Sequence, residues 1–218
     1  RNPKEPTFAG CFSHEGTGRR GNGETHDAQC VVYNGPDADH RGKEVCFGSN
    51  ETALSIADVS DKENPTALAL ATYPSVAYTH QGWLTEDQHY FYINDEGDEP
   101  QRTVPGTRTL IFDVSDLDDP ILVKEHFSDN STSTDHNLYV KGNLMYQSNY
   151  VAGLRILDIS DPENPVEVAH FDTVPYGDNA QGVGGGSWSN YPYFKSGSIV
   201  VTSSREGLFV VKKKNVDI

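Results

Sequence analysis

The sequence predicts an all-β protein assembled from repeated four-stranded antiparallel units, and three observations predict it. A β-rich segment recurs four times, as Leu54-Ser-Ile-Ala-Asp-Val-Ser-Asp61, Leu110-Ile-Phe-Asp-Val-Ser-Asp116, Leu154-Arg-Ile-Leu-Asp-Ile-Ser-Asp161 and Leu208-Phe-Val-Val-Lys-Lys213. The matched positions Asp58, Asp113, Asp158 and Lys212 stand 55, 45 and 54 residues apart, the length of one four-stranded blade. Turn chemistry recurs with the strands: Gly 20 and Pro 12 are spread along the 218 residues rather than clustered as in a linker.

Each copy is followed by a turn, Lys62-Glu-Asn-Pro65, Leu117-Asp-Asp-Pro120 or Pro162-Glu-Asn-Pro165, in which Asp and Ser bond their own backbone and Pro stops the strand. A further strand follows, over 66–73, 121–127 and 166–171. Ahead of each copy lies another strand ending in a polar turn: Gly48-Ser-Asn-Glu51, Asn94-Asp-Glu96, Ser148-Asn-Tyr150 or Ser203-Ser-Arg205. The opening strand of each unit is introduced by Thr25-His-Asp27, Thr79-His-Gln81 or Asp135-His-Asn137, with Ser187-Trp-Ser189 in the fourth unit.

A lone sheet of this kind cannot bury both faces, whereas blades stacked about an axis can, so the units read as a β-propeller. A β-sandwich is the rival, but it does not account for the same turn recurring. The chain divides into a fourth strand of a preceding blade within 1–15, blades at 25–73, 79–127 and 135–172, and a blade at 186–218 lacking its fourth strand. Either the terminal strand closes a four-bladed ring, or the chain is one portion of a larger propeller.

Asp and Glu number 32 against 17 Lys and Arg, a net charge of −15 that repels nucleic acid and anionic membranes and suits cations or a basic partner. Solubility alone is the plainer reading. No apolar run is long enough for a membrane span, and Arg1-Asn-Pro-Lys-Glu-Pro6 lacks the apolar core of a secretion signal. Of three cysteines, Cys30 and Cys46 flank the turn-rich Asn34-Gly-Pro-Asp37 and can face each other across a hairpin as a disulfide. Cys11 is then left over; free buried thiols are the alternative for all three.

These motifs resemble the choice-of-anchor B family, whose propellers carry LVIVD-type repeats. The resemblance rests on Thr25-His-Asp-Ala-Gln-Cys-Val-Val-Tyr-Asn-Gly-Pro36, His80-Gln-Gly-Trp-Leu-Thr-Glu-Asp87, Asp135-His-Asn-Leu-Tyr139, Ala152-Gly-Leu-Arg-Ile-Leu-Asp158 and Trp188-Ser-Asn-Tyr-Pro192. It implies an extracellular, surface-attached protein and about three further blades before Phe8, from a ring of about seven. It also implies that the partner of Cys11 lies in those blades. It implies no reaction.

In a propeller the fourth-to-first and second-to-third loops open on one face, near the channel mouth. One rim thus collects His26, Asp27, His80, Gln81, Asp135, His136 and Asn137, together with Asn50, Glu51, Asp95, Glu96, Asn149, Tyr150, Trp188 and Arg205. His26, His80 and His136 at equivalent positions read as a polar or transition-metal site. The structural alternative is that each locks its own blade to the next. Trp188 in the fourth unit breaks the symmetry. The acidic run Asn94-Asp-Glu-Gly-Asp-Glu-Pro100, with Asp95, Glu96 and Asp98, is a candidate Ca²⁺ loop or a solvated one; it lacks the EF-hand spacing.

Asp58, Asp113 and Asp158 read as turn stabilisers. Gly182-Val-Gly-Gly-Gly-Ser187 precedes no helix and is no phosphate loop; with Asp178 and Asn179 it reads as a mobile rim loop. Trp83, Trp188, Tyr150 and Tyr191 are aromatic platforms for a sugar, or core. No nucleophile elbow or His-Glu-x-x-His pattern is present. Asn50 and Asn130 begin acceptor tripeptides for glycosylation in a eukaryotic host.

The sequence therefore predicts an extracellular or cell-surface binding or scaffold module acting through this rim. Its partners are the remaining blades or another chain covering a blade edge, and a glycan or protein ligand. A metal-dependent hydrolase or lyase on the same rim is the alternative, with calcium or a transition metal as its cofactor. A subunit of an extracellular assembly is a third reading.

Overall fold

The computed structural model describes residues 2–176 and 184–214. Its strands are β1 (Asp27–Val32), β2 (Glu44–Ser49), β3 (Leu54–Asp58), β4 (Thr66–Ala71), β5 (Thr79–Leu84), β6 (Tyr90–Asp95), β7 (Arg108–Asp113), β8 (Ile121–Phe127), β9 (Asn137–Lys141), β10 (Leu144–Ser148), β11 (Leu154–Asp158), β12 (Val166–Phe171), β13 (Ser187–Tyr191), β14 (Ser198–Ser203) and β15 (Gly207–Lys212). They form three four-stranded sheets and one three-stranded sheet, each an antiparallel meander in chain order. The first strands of successive sheets, β1, β5, β9 and β13, lie against one another. The sheets therefore radiate from an axis, which makes the molecule a β-propeller.

The repeated Asp acts as the sequence suggests. Asp58, Asp113 and Asp158 accept a hydrogen bond from the backbone N–H two residues on, at 2.9, 2.8 and 2.8 Å, closing the turn that ends each third strand. Asp61 and Asp161 then bind Asn64 and Asn164 side chains, both at 3.0 Å.

Period-two alternation sends opposite faces of each sheet to opposite neighbours. Phe47, Leu54 and Ile56 of the first sheet pack on Phe91, Ile93, Leu110 and Phe112 of the second. Tyr92 and Ile111, on its other face, meet Leu138, Met145 and Leu157 of the third. Tyr146, Leu154 and Ile156 then meet Ile199 and Val201 of the fourth. Three apolar clusters thus weld four blades, and burial of such side chains at roughly 25 cal/mol per Å² is the main stabilising term.

The strand expected within 1–15 is absent: residues 2–26 form no strand. The segment lies over the outer face of the first sheet, where Phe12 lines a cavity together with Ala28, Cys46 and Ala57 and His14 Nδ1 reaches Ser55 Oγ at 2.8 Å. At Gly10 a side chain would collide with the Lys62 carbonyl, only 1.8 Å from the Cβ position. That face carries small residues, so a loop fills it without pairing.

Cys30 and Cys46 are directly opposite in the β1–β2 register and form a disulfide across 16 residues, while Cys11 is exposed and free. Closing a ring of this size restricts the unfolded chain by about 2–3 kcal/mol. Reduction should lower the melting temperature by roughly 5–10 °C, measured by calorimetry with and without a thiol reductant.

Candidate functional site

One end of the first strands carries a ladder of rings. His26 Nδ1 lies 3.0 Å from the His80 carbonyl oxygen, His80 Nδ1 lies 2.9 Å from that of His136, and His136 Nδ1 lies 2.6 Å from that of Trp188. The rings follow the bonds, with centroids 4.1 Å apart for His26 and His80, 4.5 Å for His80 and His136, and 4.5 Å for His136 and Trp188. Each imidazole thus ties its blade to the next. A carbonyl only accepts, so each Nδ1 carries the proton; at His136 the carbonyl, at 2.6 Å, is closer than the Asn137 side-chain nitrogen at 2.9 Å, and a neutral ring then has a bare Nε2.

The bare nitrogens of two rings face one carboxylate. His80 Nε2 is 3.5 Å from Glu96 Oε2, and His136 Nε2 is 3.7 Å from Glu96 Oε1. Glu96 comes from the turn after β6, and the Tyr150 hydroxyl donates to its Oε1. Tyr150 has φ 46°, a left-handed conformation unusual for a large side chain. Its backbone bridges Ser187, which aims the ring between His136 and Trp188. Burial lowers the His80 pKa to about 3, the neighbouring imidazoles adding to the effect, and burial lowers that of His136. Desolvation disfavours the imidazolium, so the rings stay neutral.

The remaining rim residues divide. His26 is exposed, stacks on His80 and Tyr78, and stands outside the His80–Glu96–His136 group. Asp27 is exposed and accepts from Ala28 N–H at 2.7 Å. Gln81 is buried and clamps both backbone groups of Leu138, at 2.9 and 2.8 Å. Asn137 donates to the Trp188 carbonyl at 2.9 Å. Trp188 is 48% exposed. Arg205 is exposed in the β14–β15 turn and meets none of these groups. Asp178 and Asn179 lie outside the described residues.

Asp95 and Asp98 do not join Glu96 in a cation loop. Asp95 is fully buried and accepts from Tyr73 Oη (3.0 Å), Ala77 N (2.7 Å), Tyr78 N (2.6 Å) and Gly97 N (3.0 Å), pinning the connection between the first two blades. Asp98 is spent on Arg108, its Oδ2 being 2.7 Å from both Nε and Nη2.

Asn50 is fully buried and donates to Thr17 Oγ1 at 2.9 Å, so it cannot take a glycan. Asn130 is exposed. Secretion from a eukaryotic host should give one glycan at Asn130 and none at Asn50, read by peptide mass spectrometry.

Two features escaped the sequence reading. Asp98, Glu99 and Asp135 form a fully buried carboxyl group cluster beside Arg108. Trp83, Tyr139, Tyr191, Tyr193 and Phe194 form a second aromatic cluster, with Trp83 and Tyr139 centroids 5.0 Å apart and Tyr191 and Phe194 4.9 Å apart. Trp83 and Tyr191 belong there, away from Trp188 and Tyr150. The signal was present in Tyr191-Pro-Tyr-Phe194, a turn unusually rich in rings.

Comparison with known proteins agrees with this architecture. Residues 136–173, the third blade, match the model of the LVIVD repeat. A protein from Lactobacillus plantarum is similar in structure (TM-score 0.60, 10% identity), covering 86% of this chain and 52% of its own. So is the periplasmic gluconolactonase of Pseudomonas aeruginosa (TM-score 0.59, 10% identity), with 85% and 49% covered. The chain thus spans about half the length of these structures. No curated protein matches in sequence. The class is a β-propeller in which one blade matches the LVIVD repeat; at such identities the likeness to the solved structures is of fold alone.

Proposed function

We propose that the chain is part of an extracellular or cell-surface propeller of the choice-of-anchor B kind, and that it binds its ligand at the channel mouth. The observation that carries this reading is the convergence of the ring ladder, Glu96 and half-exposed Trp188 on one end of the first strands. A half-exposed indole beside Tyr150, whose hydroxyl holds the Glu96 carboxylate, suits the apolar face and hydroxyls of a sugar. The disulfide fits an oxidising compartment, and no described helix is long and apolar enough to cross a membrane.

Further blades of the same ring are the proposed neighbours of the first and last sheets. Leu208 and Val210 pair with Thr202 and Val200 on the open face of the last sheet and are 65% and 67% exposed. Such a face needs cover. Half-coverage of the similar structures supports blades rather than a foreign subunit.

A glycan array probed with the wild type and with Trp188→Ala tests the binding reading. Binding to a subset of oligosaccharides, lost in the variant, is expected. No binding, or equal binding by both proteins, would overturn it. The two-histidine, one-carboxylate group favours a second reading, a metal-dependent hydrolase or lyase. Turnover of gluconolactone or an aryl ester with added Zn²⁺ or Mn²⁺, abolished by Glu96→Gln, would decide for it.

A further inference from the structure

Resting on the reading of the channel mouth as the ligand face, we propose that His80 Nε2, His136 Nε2 and the Glu96 carboxylate hold one divalent transition-metal ion. His80 Nδ1 faces the His136 carbonyl, and His136 Nδ1 faces the Trp188 carbonyl at 2.6 Å, closer than the Asn137 amide nitrogen at 2.9 Å; the shorter contact is to an atom that only accepts, so both protons sit on Nδ1. The atoms pointing at Glu96 are therefore lone pairs, and so are the carboxylate oxygens opposite them at 3.5 and 3.7 Å. Acceptors confronting acceptors in a largely buried site repel unless a cation lies between them.

A proton on either imidazole would relieve one contact, but it would leave the other unrelieved and place a charge in a desolvated ladder. An ion relieves both at once. The ligand atoms of the group lie within 4.8 Å of one another. The two nitrogen–oxygen separations, 3.5 and 3.7 Å, are those of ligand atoms about 2.0–2.2 Å from a common ion. Imidazole nitrogen selects first-row transition ions over Ca²⁺ or Mg²⁺.

The surroundings are those of a tuned site. A carbonyl on Nδ1 is the usual outer partner of a metal-bound histidine, fixing its tautomer and raising its basicity. The Tyr150 hydroxyl, donating to Oε1, orients the Glu96 carboxylate. Three protein ligands leave coordination positions open toward the mouth, where water or a ligand oxygen would bind.

The group is distinct from Asp37 and His40 of the β1–β2 loop and Asp118 of the β7–β8 turn. There Lys43 Nζ lies 3.3 Å from His40 Nδ1 and supplies its proton. His40 Nε2 therefore carries the hydrogen and donates to Asp118 at 3.0 Å. That trio is satisfied without an ion.

The test is titration of chelator-stripped protein with Zn²⁺ by calorimetry and with Co²⁺ by visible absorption. About one equivalent per chain should bind, with the ligand-field bands of a nitrogen–oxygen site. His80→Ala and His136→Ala should weaken binding at least 100-fold, and Tyr150→Phe by about tenfold. Glu96→Gln, which keeps the shape and every inter-blade bond, should weaken it strongly while its melting temperature stays unchanged; it covers the case in which a histidine variant fails to fold.

Binding unchanged in Glu96→Gln, absent from the wild type, or lost only in His40→Asn would overturn the proposal. The glycan array is an independent readout. A metal bound without any oligosaccharide binding would sink the sugar reading and leave the ion site standing.

Discussion

Replacing Arg108 by Ala is expected to cost about 3–5 kcal/mol, the usual consequence of stranding a buried charge. The melting temperature should fall by roughly 10 °C in a chain of this size. Arg108 is fully buried at the start of β7. Its guanidinium bonds Asp98 and Glu125 at 2.7 Å and the carbonyls of Pro74 and Ser75 at 2.9 and 3.4 Å.

One side chain therefore joins the acidic turn, the outer strand β8 and the connection between the first two blades. Removing it leaves Asp98 and its neighbours without a counter-charge. Arg155 makes the equivalent bond to Glu167 in the next blade at 3.2 Å, but the bond is longer, Arg155 is itself less buried, and no second carboxylate pairs with it as Asp98 does with Arg108 among the described residues. Arg155→Ala should cost no more than about 2 kcal/mol. Thermal unfolding of both variants checks the contrast. An Arg108→Ala melt within about 2 °C of wild type would contradict it. Because the same turn carries Glu96, the variant should also lose ordered geometry at the channel mouth.

The second large effect has the opposite sign. Glu99→Gln should stabilise the protein at mildly alkaline pH, on the order of 3 kcal/mol near pH 8. Glu99 Oε1 accepts from Arg108 N–H at 2.9 Å, but Oε2 is buried without a donor. Burial, with Asp135 and Asp98 alongside, pushes the Glu99 pKa up to about 12, and burial pushes Asp98 to about 6. Asp135 is raised as well.

A carboxyl whose folded pKa exceeds its unfolded value holds a proton that the unfolded chain releases. Its contribution is complete below about pH 4.5 and drains away as pH rises toward the folded value. Glutamine keeps the shape and the Arg108 bond, and has nothing to lose on the way. Denaturant melts at about pH 5 and pH 8 should show a gain for Glu99→Gln that grows with pH. A loss of stability at both would mean the carboxylate is ionised and needed.

The fold was legible because propeller blades repeat their punctuation. The Asp-(Val/Ile)-Ser-Asp segments are turns whose bonds depend only on neighbours in sequence, so they read directly. The segment around Phe8 misled because Phe-Ala-Gly-Cys-Phe has strand composition, yet pairing depends on an edge being available; here it covers a face of small residues instead.

The candidate site was half legible. The three histidines stood out by equivalence, and both readings of them survive at different atoms: Nδ1 locks blades, while Nε2 of His80 and His136 remains open. Which carboxylate of Asn94–Pro100 would meet them was not readable. In that run the backbone turn, not the spacing, sends Asp95 inward to four donors, Asp98 to Arg108, and Glu96 alone toward the axis. Arg108 was missed although a charged residue opening an apolar strand, Arg-Thr-Leu-Ile-Phe, is a signal for a buried pair. Asn50 shows the converse: its tripeptide is right for a glycan, and burial forbids it.

The central claim is that the ladder fixes the protonation of its rings, leaving bare nitrogens at the mouth. Long-range proton–nitrogen NMR on metal-free protein labelled in histidine measures this directly. His80 and His136 should each show a protonated Nδ1 and an unprotonated Nε2 at neutral pH, and addition of Zn²⁺ should shift the Nε2 signals alone. A protonated Nε2 on either ring, or a doubly protonated imidazolium, would contradict the account.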